Sequence, residues 1–106
     1  MCSVSYVYNN VWGNGFVASI TITNIGSEPI TDGWVLTFDV VEGSMIIVNG
    51  WNGQFSQSGS SVTVINAGWN PTIPPNGGSV SVGFQGSYEG TLPVLTNFAI
   101  NGVPCN

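Results

Sequence analysis

Apolar and polar residues alternate one by one along several short stretches of this chain, most regularly over residues 16–23, 34–40 and 80–85. Side chains on a β-strand point alternately to opposite faces, so each stretch predicts a strand with one buried face. Tyr6 and Tyr8 are predicted to share a face of the first strand. The predicted inward-facing residues are Phe16, Ala18, Ile20, Ile22, Trp34, Leu36, Phe38, Val40, Val62, Val64, Val80, Val82, Phe84, Phe98 and Ile100.

Clusters of Gly, Asn, Pro, Ser and Asp separate these stretches and recur about every eight to twelve residues. Short strands with turn signals at that spacing are typical of β-sandwiches and barrels, and no segment has a helical period. Two sheets that face each other across the inward sets make an all-β, antiparallel β-sandwich. No internal linker or repeat interrupts the pattern, so residues 1–106 are predicted to form a single domain.

The chain has no Lys, Arg or His and five acidic residues, which gives a formal charge of −5. Phosphate contacts rest mainly on Lys and Arg, so a nucleic-acid partner and an anionic membrane surface are both disfavoured. Without histidine, Ser-His-Asp and Cys-His catalysis and His-ligated metals are excluded. No apolar run approaches the roughly 18 residues of a membrane span.

The two cysteines, Cys2 and Cys105, stand near the two ends of the chain. An even number of cysteines at the boundaries of a small β domain predicts one disulfide between adjacent termini, and with it a secreted, extracellular protein. Two free buried thiols in a cytosolic protein are the alternative. Met1, directly before Cys2, is interpreted as a start residue added to an excised domain from which any leader was left out.

The four tryptophans occur in two kinds of context. Trp34 opens a regular apolar alternation and is predicted to lie in the core, whereas Trp12, Trp51 and Trp69 stand among Gly and Asn residues that supply little apolar cover. Each of these three caps an end of the sandwich, or together they form one exposed binding surface. Planar rings beside neutral amides suit a sugar, which has an apolar C–H face and hydroxyls that need partners.

The five carboxylates do not indicate an enzyme. A glycosidase needs two of them flanking the scissile bond, about 5–10 Å apart, but here they are spread over turns and one strand. A calcium site near Asp39 and Glu42 lacks the dense acidic spacing of a dedicated loop, so no metal or cofactor is expected. The acidic residues are Glu28, Asp32, Asp39, Glu42 and Glu89.

Several motifs, in this order and spacing, resemble those of carbohydrate-binding module family 2, the bacterial cellulose-binding domains attached to cellulases and xylanases. The resemblance spans essentially the whole chain. Its motifs are a terminal Cys, Trp-x-x-Gly-Phe at 12–16, Asp-Gly-Trp-x-Leu-x-Phe at 32–38, the isolated Trp51, Asn-Ala-x-Trp-Asn at 66–70, Gly-Phe-x-Gly-Ser at 83–87 and Phe-x-Ile-Asn-Gly-x-Pro-Cys at 98–105.

This resemblance implies a nine-stranded, non-catalytic module with a Cys2–Cys105 bridge and a flat strip of three aromatic side chains. The strip would consist of Trp12, Trp51 and Trp69 and would bind crystalline cellulose, which targets a covalently linked catalytic domain to its substrate. A monomer is expected. The polar contacts that the resemblance implies beside the strip are Asn10, Asn49, Gln85, Ser19 and Ser81.

Three alternatives remain at this stage. A xylan-binding branch of the family lacks the first tryptophan of the strip and holds another with an arginine, whereas this chain keeps Trp12 and has no arginine. Chitin is a second possible ligand within the family. Outside it, a structural or adhesive Ig-like extracellular domain would use exposed tryptophans for protein contacts.

Overall fold

The computed structural model describes residues 2–106, which form nine β-strands in two antiparallel sheets. The four-stranded sheet has the order β1-β2-β7-β4, and the five-stranded sheet has the order β5-β6-β3-β8-β9. This arrangement confirms the predicted all-β sandwich. The strands are β1 (Cys2–Trp12), β2 (Gly15–Asn24), β3 (Val35–Val41), β4 (Met45–Trp51), β5 (Gly53–Ser58), β6 (Ser61–Asn66), β7 (Gly78–Tyr88), β8 (Val94–Ile100) and β9 (Val103–Pro104).

The core lies between the two sheets and contains most of the predicted inward-facing residues. Val80 and Phe98 are only half-buried, because they lie near the margins of the sandwich, but both pack against the core. Tyr6 and Tyr8 share the inner face of β1 as predicted, and their rings meet edge to face with centroids 5.8 Å apart. Period-two alternation therefore identified the inner faces of both sheets.

Cys2 and Cys105 form a disulfide that links positions 103 residues apart, which confirms the predicted bridge and rules out two free thiols. Backbone hydrogen bonds reinforce this junction: Asn106 N–H donates to Cys2 C=O, and Val4 N–H donates to Asn106 C=O. Met1, with the interpretation placed on it, lies outside the described residues. Within residues 2–106 no helix is long and apolar enough to cross a membrane.

Candidate functional site

The outer face of the four-stranded sheet carries two of the tryptophans that were predicted to be exposed. Trp12 ends β1 and Trp51 ends β4, and these strands are the two edges of the sheet. Both indoles are only partly covered, with 40% of Trp12 and 41% of Trp51 accessible to solvent, whereas Trp34 is 0% exposed. The predicted division between one core tryptophan and exposed ones is confirmed.

A β-bulge at Asn9 turns Trp12 outward. Before the bulge, Tyr8 pairs with Ala18, and both face the core. The register then skips Asn9, so that Trp12 pairs with Gly15 on the outer face. An extra residue in one strand shifts the alternation by one position. Without this bulge, the alternation that buries Tyr8 would also have directed Trp12 into the sandwich.

The opposite edge strand repeats the arrangement. In β4, Met45 and Ile47 face the core, the register skips Val48, and Trp51 pairs with outward-facing Gly83. The bulge again lies three residues before the tryptophan. Two edge strands, which are not adjacent in the sheet, thus use the same device to present an indole on the same face.

Both indoles fold back onto a glycine of the neighbouring inner strand. A Cβ atom on Gly15 or Gly83 would lie under 3.0 Å from the same three ring atoms, Nε1, Cε2 and Cζ2 of Trp12 or Trp51. Gly83 was predicted to point outward and does so, but it is buried, because the ring of Trp51 covers it. Because these glycines have no side chain, each ring packs directly against the backbone. We call Gly15 and Gly83 the glycine seats of Trp12 and Trp51.

One row of the sheet between the two indoles carries the predicted amides. Asn10, Val17, Gln85 and Asn49 pair successively across β1, β2, β7 and β4, all on the outer face. The glycine seats lie on either side of this row and differ by four residue positions, or about 13 Å along the strands. Asn10, Asn49 and Gln85 thus lie together beside the two rings.

The two serines of the predicted set lie on the same face with hydroxyls that already have partners. Ser19 pairs with Gly83, in the row of Trp51, and accepts a hydrogen bond from the Asn9 side chain. Ser81 lies one row further on, with its Oγ 3.2 Å from Oγ1 of Thr21. Both are therefore placed on the outer face, but each is engaged within the sheet.

Trp69 is exposed in a different way, on the loop that follows β6, with 75% of its surface accessible. The buried Trp34 holds this loop, because its Nε1–H donates to the Asn70 carbonyl at 2.8 Å and its backbone N–H donates to Oδ1 of Asn66 at 3.2 Å. Asn70 Nδ2 donates to the Asn52 carbonyl at 2.8 Å and so joins the loop to the turn after Trp51.

Trp51 and Trp69 line one open cavity of about 450 Å³ between these two loops. The cavity extends the tryptophan-bearing surface past the edge of the four-stranded sheet. Trp12 is not part of it and lies on the other side of the amide row. The structure thus brings Trp51 and Trp69 together directly and relates Trp12 to them through the sheet.

The outer face of the four-stranded sheet is uncharged over the described residues. The carboxylates lie in loops, except for Asp39, which is on β3 of the other sheet and accepts hydrogen bonds from Ser61 and Asn97. Burial, with a further contribution from Tyr6, raises the pKa of Tyr8 to about 12, so this phenol stays neutral beneath the sheet. No group of three or more acidic, cysteine or histidine side chains gathers anywhere in residues 2–106.

Comparison with known proteins identifies the family. The model of the cellulose-binding domain family matches residues 2–105. The chain belongs to this family of cellulose-binding domains. It is therefore a non-catalytic binding module, in agreement with the scattered carboxylates.

Among curated relatives, the domain is 45% identical to exoglucanase B of Cellulomonas fimi, over 98% of this chain and 9% of that protein. It is 40% identical to endoglucanase CelA of Streptomyces lividans, over 99% of this chain and 22% of that protein. The domain thus spans about a tenth to a fifth of the length of these relatives.

A solved structure with a similar fold is the chitin-binding domain of Chi18aC from Streptomyces coelicolor. It is 30% identical to this domain and aligns with a TM-score of 0.76 over 99% of this chain and 94% of that one. Domains whose names refer to chitin therefore share the sandwich as well as part of the sequence.

Proposed function

We propose that this domain binds crystalline cellulose through Trp12, Trp51 and Trp69, with Asn10, Asn49, Gln85, Ser19 and Ser81 as polar contacts beside the rings. The observation that carries this proposal is the repeated bulge-and-glycine arrangement, which turns two edge-strand indoles onto one uncharged face. On each edge strand a β-bulge exposes a large apolar indole to water, which is unfavourable for the free protein. Exposed apolar surfaces of this kind mark interaction sites.

The free energy of stacking supports a need for all three rings. If each indole loses about 80 Å² of exposed apolar surface on a glucose ring, the gain is roughly 2 kcal/mol per ring at 25 cal/mol/Å². Association costs at least about 4 kcal/mol in lost freedom of motion. Two rings barely offset this cost, whereas three rings leave about 2 kcal/mol. A few amide hydrogen bonds of about 1 kcal/mol each raise this to roughly 5 kcal/mol, which corresponds to a sub-millimolar Kd for a single site.

The shape of the face favours an extended surface over a single soluble chain. Trp12, Trp51 and the amides lie on an open sheet, and the cavity lined by Trp51 and Trp69 continues this surface past the edge of the sheet. We infer that the three rings are level enough to meet the flat face of a cellulose crystal. Soluble xylan is the weaker candidate, because the chain has no arginine to hold a ring across the face.

We further infer that residues 1–106 act as one monomeric module, that the module is secreted, and that it anchors a covalently linked catalytic domain to an insoluble substrate. The disulfide supports an oxidising compartment. Its relatives supply the link to catalysis, since their names are those of glucanases and the matched segment is a small part of each.

Depletion of the protein from solution by microcrystalline cellulose tests the proposal. Trp12→Ala, Trp51→Ala and Trp69→Ala should each weaken binding about tenfold or more, since each removes about 2 kcal/mol of stacking. Ile65→Ala is the matched control, because Ile65 is 44% exposed but lies on the other sheet. Unchanged retention of all three tryptophan variants would refute the strip.

Chitin is a second candidate ligand, favoured by the similarity to the Chi18aC chitin-binding domain. The same depletion assay with chitin powder measures it directly. If chitin shares the site, the three tryptophan variants should lose both polymers in parallel. Depletion by neither polymer, or equal depletion by unrelated insoluble matter, would favour a structural or adhesive role.

A further inference from the structure

The side chain of Gln57 occupies the free edge of strand β4. Gln57 belongs to β5, in the other sheet, but its Oε1 accepts from Ile47 N–H at 3.0 Å and its Nε2 donates to Met45 C=O at 2.8 Å. These backbone groups are two residues apart on an edge strand. One side-chain amide thus pairs with β4 as the backbone of a further strand would.

A third hydrogen bond orients this amide. Nε2 of Gln57 also donates to Gly59 C=O at 3.0 Å, so that the nitrogen faces two carbonyls while the oxygen faces an N–H. The edge of β4 therefore requires a planar group that carries both a donor and an acceptor, on a side chain as long as glutamine. Asparagine is one methylene shorter, and a carboxylate has no proton to donate.

The residue after this clamp is the bulge that sets the direction of Trp51. The register of β4 against β7 shifts at Val48, directly after Ile47. Val48 is 61% exposed, so packing of its side chain contributes little to holding the bulge. The backbone on the N-terminal side of the bulge is held from β7 on one side and from Gln57 on the other.

We propose that Gln57 is a positioning residue for Trp51 and Asn49. By clamping Met45 and Ile47 it holds the irregularity at Val48, and this keeps both following side chains on the outer face. The inference rests on the proposed function of that face. Gln57 faces the gap between the two sheets and takes no part in contact with the polysaccharide.

The substitution Gln57→Glu should make the clamp on Met45 and Ile47 depend on pH. The ionised carboxylate faces the carbonyls of Met45 and Gly59 without a donor, whereas the protonated acid regains one hydrogen bond to them. The two carbonyl oxygens and partial burial favour the protonated form of the introduced carboxyl, whereas the N–H of Ile47 favours the ionised form. Because two acceptors and burial act against one donor, we expect the pKa to lie above its usual value near 4.3.

Strands β4, β5 and β6 carry no acidic residue. The nearest carboxylates along the chain and the sheet are Glu42, in the turn that leads into Met45, and Asp39 on β3, which pairs with Ser61. The wild type keeps both groups, so its own pH dependence measures their contribution.

Cellulose depletion isotherms for the wild type and Gln57→Glu, measured at about pH 4 and about pH 8, test the proposal. The wild type has no histidine and no charged group on the binding face, so its affinity should change less than about twofold. Gln57→Glu should bind about fivefold to tenfold more weakly at the higher pH and recover most of that loss at the lower pH.

Ser56→Glu is the matched control, since it adds the same charge to the neighbouring exposed position of β5 and should bind like the wild type at both pH values. Near-UV circular dichroism at each pH checks that the variants are folded. If Gln57→Glu unfolds at the higher pH, Gln57→Leu decides, because it removes the amide without adding charge and should weaken binding at both pH values.

The outcomes separate the two proposals. A wild type that is not depleted by cellulose refutes the proposed function. A wild type that binds, together with a folded Gln57→Glu whose affinity follows it across pH or a Gln57→Leu with unchanged affinity, refutes the role of Gln57 alone. Recovery of Gln57→Glu binding at acidic pH, absent in Ser56→Glu, supports that role.

Discussion

Trp12 and Trp51 differ from Trp69 in how the fold exposes them. The first two are strand residues, each placed by a bulge and seated on a glycine of the neighbouring strand. Trp69 stands on a loop and is almost twice as exposed, at 75% against 40% and 41%. Three indoles with one proposed role are thus presented by two unrelated structural devices.

The tryptophans on strands and the tryptophan on the loop are held in place by different interactions. Strand-seated rings depend on sheet register, which is specified by the whole four-stranded sheet and its core. The Trp69 loop depends on a few hydrogen bonds around Trp34, Asn70 and Asn52. Changes in the loop should therefore affect the position of Trp69 alone. A substitution at Gly15 or Gly83 should affect only the tryptophan that packs on it and should leave the Trp69 loop unchanged.

The strongest test of this difference is Trp34→Ala, which removes the buried ring that holds the Trp69 loop. Large-to-alanine substitutions in a core cost about 3–5 kcal/mol, and here the Asn70 carbonyl also loses its donor. Urea unfolding should show that loss in the free energy of unfolding. Trp69→Ala, on the exposed side of the same loop, should change stability by less than about 0.5 kcal/mol. Equal losses in the free energy of unfolding for Trp34→Ala and Trp69→Ala would contradict the view that Trp34 holds the loop while Trp69 is only displayed on it.

The second test acts on a strand seat. Gly83→Ala places a methyl group where the Trp51 indole now lies, and because a side chain moves more readily than backbone, the ring should lift while the sheet survives. Cellulose affinity should fall about tenfold, close to the effect of Trp51→Ala.

Gly15→Ala should do the same to Trp12. Gly13→Ala is the control for both, since a Cβ atom there meets nothing within 4 Å. Depletion isotherms give the affinities, and thermal melting checks that the fold is retained. Tight binding by Gly83→Ala would mean that the glycine does not determine how the ring lies.

The sequence patterns predicted the regular alternation of the strands but not the β-bulges that interrupt it. Alternation identified the inner residues of β2 and β3, and the end positions of Cys2 and Cys105 predicted the disulfide. The bulges at Asn9 and Val48 leave no comparable pattern, because a bulge is defined by its register against the partner strand. That partner follows directly in the chain for Asn9 but is more than 30 residues away for Val48.

The context of each tryptophan indicated that it is exposed, but not how. Gly15 follows Trp12 closely, whereas Gly83 is 32 positions beyond Trp51, so only the folded register pairs them. Gln57 gave no signal at all, because a glutamine in a polar strand is ordinary until the edge it covers is known. The residues proposed for the site could therefore be named from the sequence, whereas the backbone arrangement that positions the two strand tryptophans could not.

The smallest expected effect comes from Asn70→Ala, which sharpens the comparison on the loop side. The substitution removes the bond to the Asn52 carbonyl but keeps the backbone carbonyl that accepts from Trp34. It also removes Oδ1 of Asn70, which is buried without a hydrogen-bond partner, so the loss of stability should stay below about 1 kcal/mol. Cellulose affinity should fall about threefold, because a looser loop must be ordered on binding.

A double-mutant cycle assigns that threefold effect to a ring. If Asn70 acts by holding Trp69, then Asn70→Ala should have no further effect on affinity in a Trp69→Ala background, while its effect should persist in Trp12→Ala. Additive losses with Trp69→Ala would mean that Asn70 acts through Asn52 on the neighbouring Trp51. In that case the loop and the strand edge would form one unit, and the distinction between the two ways of presenting an indole would hold only for Trp12.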